Sequence, residues 1–142
     1  MRIKSISISE VKYSAFQLAK EFMTWDEPIP DFGTRFPNAL ESCLKTPFQT
    51  YERRHLYRGL AGKSAMLFYL MIKNHPFENG NKRIAVMTFL LFLHKNKKWL
   101  TMSSQKMYEF AKLIAGSDPK SKDVFIKVIQ EILKENITEL HK

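Results

Sequence analysis

The chain has 142 residues, of which 44% are hydrophobic and 26% charged, and such values exclude disordered and collagen-like chains. Only five Gly and six Pro are present, so the composition favours long helices over a turn-rich β-sandwich. The formal net charge of +9 is expected to attract anionic partners, which include nucleic acids, nucleotides, anionic membranes and acidic proteins.

The single cysteine, Cys43, excludes an internal disulfide and a cysteine-rich zinc site. It falls in a helical apolar pattern, and we interpret it as a core thiol. The first residues lack the apolar region of a signal peptide, and the longest apolar stretch is about half the ~20 residues that a membrane span needs. We therefore expect a soluble, cytoplasmic, single domain over residues 1–142 with no membrane partner.

Helical spacing of apolar residues predicts a first helix over Ser9–Met23, with Ser9 as its N-cap. Two prolines then favour an extended stretch, and a second helix is expected over Pro37–Lys45. The segment Thr46–His55 alternates aromatic and polar residues, a pattern typical of an extended surface flap or a small hairpin.

The second half of the chain carries two strongly apolar helical patterns, at about Tyr57–Asn74 and Asn81–Asn96. Helices that are apolar all round lie in the middle of a domain, so these two are predicted to be the central helices. One of the serines 103 and 104 is expected to cap a helix that ends near Ala115. Asp118-Pro119 is a typical helix start. The predicted fold is all-α: a compact bundle of about six helices around two buried central helices, with one small extended flap.

The loop between the two central helices has an unusual composition. Pro76 biases His75 away from the helical region, so the preceding helix should end near Asn74. Phe77 is expected to anchor the loop in the core, and Gly80 permits close approach of a ligand to the backbone. The full loop reads His75-Pro76-Phe77-Glu78-Asn79-Gly80-Asn81-Lys82-Arg83.

The end of this loop has the features of an anion site. Asn81 is predicted to be the N-cap of the following helix, with the N–H groups of Gly80, Asn81 and Lys82 pointing outward. Lys82 and Arg83 add two cations where the helix dipole disfavours them, which favours a bound polyanion such as a nucleotide di- or triphosphate. An Asn-Gly turn followed by a solvated Lys-Arg pair is the plainer interpretation, and the residues alone leave both open.

The loop resembles the signature of the Fic/Doc family, His-Pro-Phe-x-Asp/Glu-Gly-Asn-Gly/Lys-Arg, and the similarity extends over roughly Phe36–Ala115. The resemblance implies a compact helical enzyme that transfers a phosphate-containing part of ATP onto a Ser, Thr or Tyr hydroxyl of a protein. It makes His75 the general base. It also assigns an anion hole to Gly80, Asn81 and Lys82 and a phosphate contact to Arg83.

The resemblance implies two further sets of residues. A flap formed by Phe48, Gln49, Thr50 and Tyr51 would align the target peptide, which could add to its edge as a strand. The family's magnesium-binding acidic residue is replaced here by Asn79. An Mg²⁺ ion would therefore depend on the Asn79 carbonyl or on the neighbouring Glu78.

Two positions favour the Doc branch of the family: Lys82 stands where the adenylylating branch has Gly, and Val86 where that branch has a second Arg. The Doc branch transfers phosphate and supplies the toxins of toxin–antitoxin pairs that act on translation elongation factor Tu. No Ser/Thr-x-x-x-Glu-Gly/Asn inhibitory motif is found, so a separate antitoxin chain is expected.

We therefore expect a toxin-like transferase that moves a phosphate of ATP onto a protein hydroxyl. Transfer of AMP, as in the adenylylating branch, is the alternative. Two alternatives assign no enzymatic activity: a catalytically degenerate family member that keeps only a partner-binding surface, and a basic nucleic-acid-binding module. No helix carries a run of Arg and Asn on one face that would suit a major groove, so nucleic acid is not an expected partner.

Overall fold

The structure is a computed structural model, and it describes residues 2–23 and 28–140. Its helices surround a core of apolar side chains, and no helix of the described residues is both long and apolar enough to cross a membrane. The helices are α1 (Ile8–Glu10), α2 (Phe16–Phe22), α3 (Pro37–Lys45), α4 (Gly59–Lys73), α5 (Asn81–Lys95), α6 (Ser104–Ala115) and α7 (Lys122–Asn136).

Short elements complete the chain. A π-helical turn, Val11–Ala15, continues α1 into α2, and 3₁₀ turns lie at Phe32–Thr34, Thr46–Phe48 and Pro119–Ser121. Two small antiparallel sheets are present. The first pairs β1 (Thr50–Tyr51) with β2 (Arg54–His55), and the second pairs β3 (Lys98–Leu100) with β4 (Ile137–Glu139), with Trp99 opposite Thr138.

Helices α4 and α5 form the centre of the bundle, and the all-α prediction is confirmed. Most residues of both helices are buried, because the middle of each sequence is apolar on all faces. Phe68 of α4 packs against Phe89 of α5, with a distance of 4.9 Å between their ring centres. Helix α7 packs on α4, and α6 packs mainly on α5. Cys43 is fully buried, as predicted.

The start of the first helix differs from the prediction. Its N-cap is Ser7, and the prediction of Ser9 is wrong. The Ser7 hydroxyl accepts from the Glu10 N–H at 3.1 Å, and the Glu10 carboxylate accepts from the Ser7 N–H at 2.9 Å. This reciprocal pair is a capping box, which needs Glu at the third helical position. The Glu10 carboxylate also pairs with Lys95 at 2.7 Å and so ties the first helix to α5.

Several other predicted boundaries agree with the structure. Helix α3 has the predicted bounds, Ser103 caps α6, and Asp118 caps the 3₁₀ turn that leads into α7. The β3–β4 sheet was not predicted, because its strands are three residues long and almost 40 residues apart in sequence. Pairing at that separation leaves no local signal in either strand.

Asn96 fastens the N-terminal segment to the end of α5. Its amide oxygen accepts from the Lys4 N–H at 2.7 Å, and its amide nitrogen donates to the carbonyls of Lys4 at 3.0 Å and Phe92 at 2.9 Å. The side chain is buried, so the loss of these bonds leaves buried polar groups unpaired.

We predict that Asn96→Ala lowers the free energy of unfolding by about 2 kcal/mol, measured by urea denaturation. The matched control is Asn38→Ala, an exposed position on α3, which should change stability by less than about 0.5 kcal/mol. Equal effects of the two substitutions would contradict this role of Asn96.

Candidate functional site

The signature loop connects the C-terminal end of α4 to the N-terminal end of α5. Phe77 is 1% exposed and holds the loop in the core, as predicted. Its ring lies 5.6 Å from that of Phe16 and 5.8 Å from that of Phe32. The loop is therefore fixed to the first helix and to the segment that precedes α3.

Asn81 closes the loop on itself. Its amide oxygen accepts from the Phe77 N–H at 2.9 Å, and its amide nitrogen donates to the Phe77 carbonyl at 2.8 Å. The prediction that Asn81 is the N-cap of α5 is wrong, because the N-cap is Gly80 and Asn81 is the first helical residue. Gly80 has φ 74°, a conformation that glycine adopts without strain. The Asn81 side chain thus holds the turn that aims the start of α5.

His75 lies on the surface at the start of the loop. Helix α4 ends at Lys73, with Asn74 as its C-cap, in agreement with the prediction. His75 has φ 46°, which is uncommon for a residue with a side chain. The following residue, Pro76, is held in place because its carbonyl accepts a hydrogen bond from the Phe36 N–H at 2.8 Å. No described residue hydrogen-bonds the exposed imidazole, which leaves it accessible to a substrate hydroxyl.

The groups that were predicted to bind an anion lie at the N-terminus of α5, with one difference. The first hydrogen bond within α5 runs from the Ile84 N–H to the Gly80 carbonyl, so the N–H groups of Asn81 and Lys82 precede the helical ladder. The Gly80 N–H instead donates to the Asn79 side-chain oxygen at 2.9 Å. Lys82 is half-buried, and within the described ranges no carboxylate lies within 4.0 Å of its ammonium group.

Arg83 lies behind the loop and is 3% exposed. Its guanidinium donates to the Met23 carbonyl at 3.0 Å and lies beside Gly80. Arg83 and Lys82 line a small polar pocket together with Asn79, Gly80 and Tyr108 of α6. Tyr108 was not predicted, because it lies 25 residues after Arg83 in sequence and its helical pattern indicates only a core-facing side chain.

A segment that sequence reasoning did not assign to the site, residues 28–36, lies against the loop. The Ile29 side chain covers Gly80 so closely that a Cβ on Gly80 would lie 2.8 Å from it. The Asn79 amide nitrogen donates to the Pro28 carbonyl at 3.5 Å. The Phe36 bond to Pro76 fixes the end of the segment. Its two prolines predicted an extended stretch, but nothing in the sequence indicated what the stretch would contact.

The predicted flap is a hairpin, but it does not lie beside the loop. β1 and β2 form an exposed hairpin just before α4, and Phe48 packs its ring against Phe92 at 6.1 Å. Phe92 lies eleven residues into α5, or about 16 Å along its axis from Asn81. Phe48, Gln49, Thr50 and Tyr51 therefore lie at the opposite end of the central pair from His75. Their role in binding a target stays a prediction, and the geometry gives it no support.

The residues proposed for magnesium do not form a ready metal site. The Asn79 oxygen already accepts from the Gly80 N–H, and Glu78 is an exposed carboxylate. The described residues contain no group of three or more His, Cys, Asp or Glu side chains that could hold a metal ion. Because Mg²⁺ prefers one or two carboxylates together with phosphates and water, these two residues alone do not fit it.

Cys43 is not placed to act as a nucleophile, because it is fully buried. Burial raises the pKa of its thiol to about 12, and a thiol that stays protonated is inert. Within residues 75–83, His75 is the only His or Cys side chain.

Comparison with known families identifies the class of the protein. The family model described as the Fic/DOC family matches residues 6–93, which is more than half of the chain. The chain therefore belongs to the Fic/DOC family, whose members generally transfer a nucleotide monophosphate or a phosphate to proteins. No curated protein and no solved structure matches the chain.

We predict that Gly80→Ala lowers the free energy of unfolding by more than about 1 kcal/mol, because alanine is strained at positive φ and its methyl group would meet Ile29. The control is Gly33→Ala, where an added Cβ meets nothing within 4 Å. It should change stability by less than about 0.5 kcal/mol. Thermal unfolding of both variants checks this, and a Gly80→Ala protein as stable as the control would show that Ile29 does not press on the loop.

Proposed function

We propose that this chain is a toxin-like phosphotransferase that moves the γ-phosphate of ATP onto a Ser, Thr or Tyr hydroxyl of a target protein. The observation that carries the proposal is the cation at the N-terminus of α5. Lys82 has no described carboxylate partner and lies where the helix dipole disfavours a positive charge. A bound polyphosphate would supply the missing negative charge, and the adjacent backbone N–H groups would donate to it.

His75 supplies the general base of the reaction. The target hydroxyl gives its proton to the imidazole while its oxygen attacks the γ-phosphorus. A new O–P bond forms, the bond from the γ-phosphorus to the bridging oxygen breaks, and ADP leaves with the electron pair. Phosphoryl transfer requires mainly positioning and charge stabilisation. Lys82, the N–H groups of Asn81 and Lys82, and Arg83 are the groups that meet this need.

The choice of phosphate over AMP rests on two side chains of α5. Lys82 adds length and charge at a position where adenylylating relatives have Gly, and this crowds the region where their nucleotide phosphates lie. Val86 is fully buried and provides no second guanidinium. The nucleotide should then bind with its γ-phosphate nearest the attacking hydroxyl, within the roughly 3–3.5 Å that in-line attack requires.

A magnesium ion, where one takes part, would come bound to the nucleotide, since Asn79 and Glu78 do not form a site of their own. The target would approach along residues 28–36, because this segment lies against Gly80 and Pro76. By family resemblance the target is a translation factor and the inhibitor a separate antitoxin chain.

We predict that His75→Ala reduces transfer by about 10²–10⁴-fold, because the target hydroxyl loses its base. Phosphate incorporation into the target, followed with labelled ATP, measures this. His75→Asn is the second variant, since Asn tolerates positive φ better than Ala, and circular dichroism should show both variants folded. The control is His94→Ala, an exposed histidine near the other end of α5. Near-normal activity of either His75 variant would exclude the assignment.

We predict that label from [γ-³²P]ATP, and not from [α-³²P]ATP, appears on the target protein. Lys82→Met should reduce this transfer at least about tenfold, since hydrogen bonds to charged groups are strong. Lys127→Met is the control, because it removes the same charge from an exposed site on α7.

Three other results would each favour a different function. Incorporation of α-label alone would move the chain to AMP transfer. No incorporation, together with weak ATP binding, would favour a degenerate family member. Tight binding of nucleic acid without transfer would favour a basic binding module.

A further inference from the structure

A second cavity lies at the opposite end of the central helices from His75. It is bordered by N-terminal residues 2–5, the β1–β2 hairpin, the N-terminal part of α4 and the last turn of α5. Helix α4 has 15 residues, so the cavity and the signature loop are separated by about 20 Å. The cavity volume is ≈ 740 Å³, which is within the usual range for a small-molecule site. We call it the basic cavity.

The charged and titratable side chains of the basic cavity are all basic. One of them is already paired: the Lys95 ammonium donates to the Glu10 carboxylate at 2.7 Å and to the Ser5 carbonyl at 2.8 Å. None of the others has a carboxylate partner among the described residues, so the lining carries a net positive charge. The basic residues of the lining are Arg2, Lys4, His55, Lys63 and Lys95.

Lys63 is the central residue of the basic cavity. It is 3% exposed, and its ammonium donates to the Tyr57 carbonyl at 2.5 Å and lies 5.5 Å from the centre of the Phe48 ring. Within the described part of the chain no carboxylate is within 4.0 Å of it. Burial lowers the pKa of Lys63. A buried charge without a counter-ion is costly, and an anion in the cavity would remove that cost.

The N-terminus of α4 adds to the same positive field. Gly59, the first residue of α4, lines the basic cavity with φ 64°. The first helical hydrogen bond runs from the Gly62 N–H to the Arg58 carbonyl. The N–H groups of the three residues before Gly62 therefore have no partner within the helix. They lie at the positive end of the dipole of a 15-residue helix.

We propose that the basic cavity binds a phosphate-bearing small molecule of about nucleotide size. Phosphate fits because a buried ammonium group and a helix N-terminus both favour compact oxyanions. The volume exceeds that of inorganic phosphate, and Ile3 and Phe48 provide an apolar wall for the organic part of the ligand. The site is separate from the signature loop and goes beyond the proposed transfer reaction.

The test uses residue-resolved NMR, since the two ends of α4 and α5 give separate signals. The probes are inorganic tripolyphosphate and AMP, and citrate serves as a polyanion without phosphate. Both phosphate probes should produce saturable shifts of the Gly59 and Lys63 amide signals. Lys63→Met should weaken tripolyphosphate binding at these signals at least about tenfold, and Lys82→Met should change it less than about twofold.

If Lys63→Met fails to fold, Lys4→Met replaces it, because Lys4 is an exposed residue of the same lining. A loss of about threefold is then expected. The proposal is overturned by the absence of saturable shifts at Gly59, by unchanged affinity in the variant, or by equal binding of citrate. The Lys63→Met protein should still transfer label to a target. A negative result for the basic cavity is therefore distinct from a negative result for the proposed transfer reaction.

Discussion

The antiparallel pairing of two largely buried helices decides where their charged side chains can lie. Residues 64–72 of α4 and 84–93 of α5 include no charged side chain, so the charges of these helices lie near their ends. Because the two run in opposite directions, each end of the bundle receives one helix N-terminus. Both N-termini have a glycine at positive φ, Gly80 at 74° and Gly59 at 64°. Both also have a lysine close behind the glycine.

The two ends differ in how their cations are held. At the loop, Lys82 is half-buried and Arg83 is fastened to the Met23 carbonyl at 3.0 Å. The loop therefore has one cation that is partly open to solvent and one that is fixed by a backbone carbonyl. At the other end, Lys63 is wholly enclosed. Its ammonium group donates to the Tyr57 carbonyl, so each end of the pair has one cation that is fixed by a backbone carbonyl.

Much of this arrangement could be predicted from the sequence because its causes are local. The bounds of α3, the Ser103 cap and the anchoring role of Phe77 follow from residues within a few positions of one another. What could not be predicted depends on distant contacts. Ile29 covers Gly80 across some 50 residues, and Tyr108 reaches the polar pocket from α6. The hairpin at Thr50–His55 could be recognised as extended, but its distance from His75 is set by the length of α4.

The position of the hairpin also changes how the target is expected to reach His75. Between the hairpin and the loop there is only one helix, α4, so the two lie at opposite ends of it. Two helices, α3 and α4, lie between residues 28–36 and the loop. The chain crosses the bundle twice and so returns to the end of the bundle at which residues 28–36 lie. Because two helices separate residues 28–36 from the loop, Phe36 can hydrogen-bond Pro76. For the same reason residues 28–36, and not the hairpin, border the groups that would hold the nucleotide.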